Sequence, residues 1–212
     1  MSNKESRMID LYVAPTANGF RALVAMEEAG LAYRVNKVDL TKGEQRSAEF
    51  LKLNPAGLIP VMVDHDGPGG KPLTLAQSGA IMLYAAEKSG KFLPKDPATR
   101  ALAMQWFMQA ASDIAGTSGN IFQLDMRAPE KSPANVESFK KRLLDFFAVC
   151  DRQLAGQEYL AGELSVADLM LYPNFSARKP LLDAGGGCAN LQRWGARMAA
   201  RPGVQRAMQA VS

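Results

Sequence analysis

The amino-acid sequence predicts an α/β module over residues 8–90 followed by an all-α module over residues 96–212. Three observations carry this expectation. In the first module the apolar residues switch between a period of two and a period of 3.6. A Pro-rich joint, Phe92-Leu93-Pro94-Lys95-Asp96-Pro97, follows it. Beyond that joint every periodic segment has helical spacing. A chain of 212 residues has room for two small domains, and it is long enough to bury a core without disulfide or metal staples.

Each element has a local reason. Ile9-Asp10-Leu11-Tyr12-Val13 alternates and reads as a strand. The Pro15 to Gly19 stretch reads as a turn, and residues 20–29 as a helix that Gly30 stops. A second strand is expected over 33–38. Phe50, Leu51 and Leu53 give helical spacing to 46–53, and Asn54-Pro55 ends it. Val61-Met62-Val63 is a short strand. The Asp66-Gly67-Pro68-Gly69-Gly70 loop turns the chain into a partner strand containing Leu73 and Leu75, and a helix follows over 78–88. The order is β-α-β-α-β-β-α, a βαβ unit followed by a hairpin. In the second module helices are expected over 98–115 and 134–155, the latter with Phe139, Leu143, Phe146 and Phe147 on one stripe. Ser165 and Asp168 have capping-box spacing, with Leu164 and Leu169 as the hydrophobic staple. Two short terminal helices are split by Pro202-Gly203.

The residue inventory excludes several chemistries. Hydrophobic residues make up 47% and charged residues 22%, the balance of an ordinary globular protein. There is one histidine, His65, and there are two cysteines, Cys150 and Cys188. A Ser-His-Asp triad would have to use His65, and a Cys/His zinc site would need all three residues at once. No metal site is expected. His65 reads as a turn residue, Cys150 as a buried inert thiol, and Cys188 as an unpaired thiol in a glycine loop. The methionines, such as Met104 and Met108, have helical spacing; most read as core filler and a few as lining for an adaptable pocket. The net charge is +4 and the sequence pI is about 9.1. Lys and Arg are scattered among Asp and Glu with no base-stacking pattern beside them, so no nucleic-acid partner is expected. The longest apolar runs, such as 80–86, are too short to span a bilayer, and residues 1–7 are polar. No membrane partner and a cytoplasmic location are expected.

Four places in the first module invite a site. Thr16 and Asn18 open the first helix, where polar side chains either cap free N–H groups or, with the helix dipole, receive an anion. Ile59-Pro60 precedes the third strand; a plain trans proline at a sheet edge is the ordinary reading. A cis bond there would leave the Ile59 backbone free to pair with an extended peptide. Gln77 and Ser78 start the third helix, as a cap, as a carboxylate site, or as both. The loop from Lys42 to Arg46, with Gln45, has no signal of its own.

In this order, Thr16-x-Asn18-Gly19, Asn54-Pro55-x-Gly57-x-Ile59-Pro60 and Gln77-Ser78-Gly79-Ala80-Ile81 resemble the cytosolic glutathione transferases. Ile9-Asp10-Leu11-Tyr12, Val38-Asp39-Leu40 with Lys42-Gly43, Asp64-His65, Ala167-Asp168 and Tyr172-Pro173 extend the likeness along nearly the whole chain, and more narrowly to the bacterial nu-class group. The resemblance implies a thioredoxin-like first domain that binds glutathione as co-substrate. It places Thr16 and Asn18 at the glutathione sulfur, and Ile59, ahead of a cis Pro60, on the cysteinyl backbone. Gln77 and Ser78 would hold the γ-glutamyl carboxylate, and Gln45 would contact the tripeptide. The second substrate would be a small electrophile or a disulfide, and the protein a homodimer.

Several residues depart from the family pattern. Ala17 replaces a usual Pro, Leu58 stands where relatives carry a polar residue near the glycyl carboxylate, and Gln77 replaces a common Glu. Ser138 stands where relatives have Arg, and residues 116–133, which would border the second-substrate pocket, match relatives poorly. Leu58 and Ser138 also keep a rival reading in view, a non-catalytic binding or docking protein. A carrier of apolar compounds is a third.

Overall fold

The computed structural model describes residues 8–210. It divides into two compact units, one reaching to Lys91 and resumed at Arg201, the other Phe92–Ala200.

In the first unit β1 (Ile9–Val13) leads into α1 (Ala17–Ala29), which returns the chain to β2 (Tyr33–Lys37). A single 3-10 turn (Glu44–Arg46) and α2 (Ala48–Leu53) follow, then β3 (Val61–Asp64), β4 (Leu73–Ala76) and α3 (Ser78–Ser89). The sheet order is β2-β1-β3-β4, with β1 and β2 parallel and the other pairs antiparallel. Strand alternation sorts β1: Ile9, Leu11 and Val13 are buried, while Tyr12 packs on the opposite face near Phe50 of α2 and Val61. α1 ends where expected, at Gly30 in the left-handed conformation. It begins earlier than the expected turn, because the Thr16 side chain accepts from the Gly19 N–H and so starts the helix at Ala17.

The final helix α9 (Pro202–Ala210) packs on α1, within this first unit, although in chain order it ends the stretch expected as the all-α module over 96–212. Two ion pairs hold it. Arg201 donates to both carboxylate oxygens of Glu28 at 3.0 and 2.6 Å, and Arg206 donates to Glu27 at 2.6 Å.

In the second unit, α4 (Pro97–Met108), a π-type segment (Gln109–Ile114), α5 (Ala115–Phe122) and a second π-type segment (Gln123–Arg127) run on without a break. The helix expected over 98–115 therefore extends through Gly116 and Gly119, residues of low helix propensity. Packing overrides that propensity: Thr117, Ser118 and Ile121 are buried. Arg178 of α7 (Val166–Gly185) also donates to the Ser118 hydroxyl at 2.9 Å and its carbonyl at 2.7 Å. α6 (Pro133–Gln153) buries Val136, Leu143, Phe147 and Cys150. The Ser165–Asp168 capping box forms in both directions at the start of α7. α8 (Ala189–Ala199) brings Trp194 against Tyr172 and Phe175. Met108 is 53% exposed, so it is surface and not core filler. Among the described residues, no helix is long and apolar enough to cross a membrane.

Candidate functional site

Sheet register brings three of the four candidate segments to one end of the sheet. Tyr12 of β1 pairs with Val61 of β3, and Val61 pairs with Ala76 of β4. Three candidate pairs therefore leave the sheet at the same end: Thr16 and Asn18 after β1, Ile59 and Pro60 before β3, Gln77 and Ser78 after β4. The fourth joins them through a close backbone approach. A Cβ on Gly57 would stand 3.0 Å from the Gln45 carbonyl oxygen, so the Gln45 segment abuts the one that leads into Ile59.

At the α1 start the chain is tightly folded. A Cβ at Gly19 would come within 2.2 Å of the Ala14 carbonyl oxygen, which is why Asn18 is followed by glycine. Thr16 uses its oxygen to accept from Gly19 N–H at 3.1 Å, which leaves its hydroxyl hydrogen to donate outward. Asn18 is exposed, and its Oδ1 accepts from Nη1 of Arg21, one turn along the same helix. Arg21 itself is 2% exposed. Burial draws its pKa down to about 10, still high enough to keep it charged at neutral pH.

The Ile59-Pro60 bond is cis. β3 lies inside the sheet, between β1 and β4, so Pro60 is not the plain edge proline of the ordinary reading. It sits just ahead of the ladder, where its missing N–H costs no pairing. The exposed backbone about Leu58 is held by Asn54, whose Nδ2 donates to the Leu58 carbonyl at 2.7 Å. Leu58 is 55% exposed.

α3 starts differently from the expected cap. The cap position is Gln77, with no side-chain hydrogen bond to the helix, and the buried Ser78 is the first helical residue. Gln77 adopts φ 75° and ψ 117°, a conformation disfavoured for a residue with a Cβ. This turn leaves the leading N–H groups of α3 without a capping side chain, which suits a ligand carboxylate. Gln45 Oε1 is buried and accepts no hydrogen bond among the described residues.

The remaining singletons stand elsewhere. His65 Nε2 lies 2.9 Å from Asp10, a carboxylate also gripped by Arg34 at 2.7 and 2.9 Å. Cys150 is buried, and desolvation pushes its pKa up to about 12, which makes it unreactive as a nucleophile. Cys188 is partly buried, and burial also raises its pKa. Among the described residues no group of His, Cys, Asp and Glu is arranged to hold a metal ion. The buried charge that sequence reasoning passed over is Arg21. Its signal was a charge inside the otherwise apolar run Phe20-Arg21-Ala22-Leu23-Val24, where a solvated side chain has no room.

A four-stranded sheet of order β2-β1-β3-β4 with a cis-proline ahead of β3 defines the thioredoxin-like class of domains, here followed by a helical unit. Comparison with known proteins narrows this. Residues 17–88 match the glutathione S-transferase N-terminal domain, and residues 117–210 match the glutathione S-transferase C-terminal domain. The chain belongs to the glutathione S-transferase family. It is 37% identical over 204 residues to disulfide-bond oxidoreductase YfcG of Escherichia coli (strain K12), covering 95% of this chain and 94% of that protein. A Pseudomonas putida glutathione transferase, solved with one glutathione disulfide bound per subunit, superposes with a TM-score of 0.89 at 32% identity, covering 97% of this chain and 93% of that one. A Burkholderia graminis glutathione transferase, solved with two glutathione molecules per subunit, gives a TM-score of 0.88 at 31% identity, covering 96% and 88%.

Proposed function

We propose that this chain binds glutathione with its thiol against Thr16 and Asn18 and uses the thiolate to reduce small disulfides, with transfer to electrophilic carbon as a second use of the same nucleophile. The observation that carries the reading is that the Thr16/Asn18, Ile59 and Gln77/Ser78 segments leave the sheet at one end, set by the Tyr12–Val61–Ala76 register, with the Gln45 segment against Gly57. Disulfide reduction is put first because the similar Escherichia coli protein is named a disulfide-bond oxidoreductase and the similar Pseudomonas putida enzyme holds glutathione disulfide.

The chemistry needs no thiol from the protein. A free thiol has a pKa of about 8.5, and each unit of depression requires about 1.36 kcal/mol. A hydrogen bond to a charged sulfur supplies about 1.5–3 kcal/mol, and a helix N-terminus about 0.3–1 kcal/mol. The Thr16 hydroxyl, the Asn18 amide and the α1 start together bring the thiol to ionisation near neutral pH. The thiolate attacks one sulfur of the substrate disulfide and expels the other as a thiolate. A second glutathione then attacks the mixed disulfide, releasing the reduced substrate and leaving glutathione disulfide. Ile59 offers its backbone to the cysteinyl unit of the tripeptide, Gln77 and Ser78 take the γ-glutamyl carboxylate on the α3 start, and the Gln45 amide binds the same peptide. Residues 8–90, completed by α9, form the glutathione-binding unit, residues 92–200 form the helical unit, and the protein works as a homodimer.

The test is Thr16→Ala and Asn18→Ala, each assayed with a small disulfide and with 1-chloro-2,4-dinitrobenzene. Loss of one donor to the thiolate is expected to lower kcat/KM about 10- to 100-fold. Unchanged rates with both substrates would sink the site assignment. Calorimetric titration with reduced and oxidised glutathione separates this reading from a docking role, which predicts no binding at millimolar ligand. Elution at the 22.9 kDa monomer mass would contradict the dimer.

A further inference from the structure

We infer that Arg21 is a positioning residue for the thiolate site, acting through Asn18. This role rests on the glutathione reading above and extends it to a residue that never touches the ligand.

A carboxamide has two faces of opposite polarity: an oxygen that accepts and an NH2 that donates. Only the NH2 face stabilises a thiolate; the oxygen repels it. The backbone alone does not choose between them, because Asn18 is exposed and its amide is free to turn in water. Arg21 makes the choice. It lies three residues on, so its side chain shares the face of α1 that carries Asn18. Its Nη1 donates to Asn18 Oδ1. With the oxygen committed to the guanidinium, the NH2 is the face left for a ligand. The guanidinium adds a second effect, since it is a charge 2% exposed, and in a poorly screened setting its field reaches the sulfur through the polarised amide. Burial lowers the Arg21 pKa only to about 10, so the charge persists through the pH range in which a thiol ionises. Arginine suits the position because its planar fork fixes the direction of the donated bond, whereas the rotating ammonium of lysine does not.

The experiment is the ionisation of bound glutathione in Arg21→Met, followed by ultraviolet thiolate absorbance against pH with the ligand-free protein subtracted. The midpoint is expected to rise by about one pKa unit, a tenfold loss of thiolate at any pH below it. Oxidised glutathione, which has no thiol to ionise, is expected to bind within about threefold of the native protein, a change under 1 kcal/mol. An unmoved midpoint overturns the role. So does a tenfold or larger loss of oxidised glutathione, which would mark Arg21 as merely structural. Should Arg21→Met not fold, Arg21→Gln decides. It keeps a neutral donor without the charge and is expected to raise the midpoint by about half a unit, and an unmoved midpoint overturns the role there too. Native protein that binds neither form of glutathione overturns the proposed function itself, and the Arg21 role with it.

Discussion

The two units each bury an aspartate completely, and they treat it in opposite ways. Asp64 in β3 and Asp168 in α7 are both 0% exposed. Burial pushes each carboxyl pKa upward. At Asp64 the hydrogen bonds from Lys88 and Tyr84, with the Asp66 N–H, outweigh burial and hold the carboxyl below its usual range. At Asp168 the partners are neutral: the N–H groups of Leu160 and Ser165 at 3.1 Å each, the Ser165 hydroxyl, and Trp194 Nε1 at 2.9 Å. They only partly offset burial, and the pKa stands at about 6. The difference teaches that donors satisfy a buried carboxylate's geometry, but a cation decides which way it titrates. Lys88 is itself 30% exposed, so its charge is supplied from the surface. Asp168 accepts from no cation among the described residues.

Removing Asp168 is the largest way to break the comparison. Asp168→Ala leaves the Leu160, Ser165 and Trp194 donors buried without their acceptor, at about 1–3 kcal/mol each, so a loss of about 3–5 kcal/mol is expected after relaxation. Both tryptophans, Trp106 and Trp194, lie in the helical unit, so fluorescence-monitored urea unfolding reads this loss directly. A loss under about 1 kcal/mol, the worth of one ordinary hydrogen bond, would show that the three donors find water instead.

Second in size is the pH slope. Asp168 has a folded pKa of about 6 against an unfolded value near 3.9, so the folded state binds the extra proton in that window. Its stabilisation is present below the unfolded value and is lost as pH rises through the folded one. The native helical unit should therefore be more stable at pH 5 than at pH 7, within an upper bound of about 2–3 kcal/mol across the full window. Asp168→Asn should remove that slope, and an identical slope in the variant would assign it to other groups. Asp64 has the opposite sign. Its folded pKa is depressed, so its contribution is full above the unfolded value of about 3.9 and is lost as pH falls through the folded one.

Smaller again is Asp64→Asn, expected to cost about 2 kcal/mol in the first unit, because Lys88 keeps the Asp66 carbonyl as a partner at 2.7 Å and can turn toward water. Circular dichroism through urea unfolding measures it, and a cost above that of Asp168→Ala would reverse the ranking. The smallest is Tyr84→Phe, which removes one donor from Asp64 and leaves the cation. A loss of about 1 kcal/mol is expected in the same assay; a loss as large as that of Asp64→Asn would make the phenol, not the ammonium, the partner that matters.

How much of this was legible in the chain depends on range. Features settled within a few residues were readable: the Gly30 stop, the Ser165–Asp168 cap, and the βαβ and hairpin order. The run of the α4–α5 rod to Arg127 was not, because Gly116 and Gly119 have low helix propensity while Arg178 holds Ser118 from sixty residues away. The site residues were named by family resemblance; their residue types alone favoured a cap at Thr16 and Asn18 and a plain edge proline at Pro60. Only strand register puts the segments carrying Thr16, Ile59 and Gln77 at the same end of the sheet, and register is not written in any one segment. The sign of each buried aspartate was likewise hidden, since it depends on whether Lys88 or Trp194 arrives from another element.

The return of α9 to α1 has a consequence for the order of synthesis. The first unit is discontinuous: its last piece follows the whole helical segment 92–200 in the chain. A nascent chain paused anywhere in that segment lacks Arg201 and Arg206, so Glu28 and Glu27 on α1 have not yet met their cations. The unit translated first is thus the one completed last. A lesion near residue 205 would be felt at the beginning of the chain, beside the helix that carries Asn18.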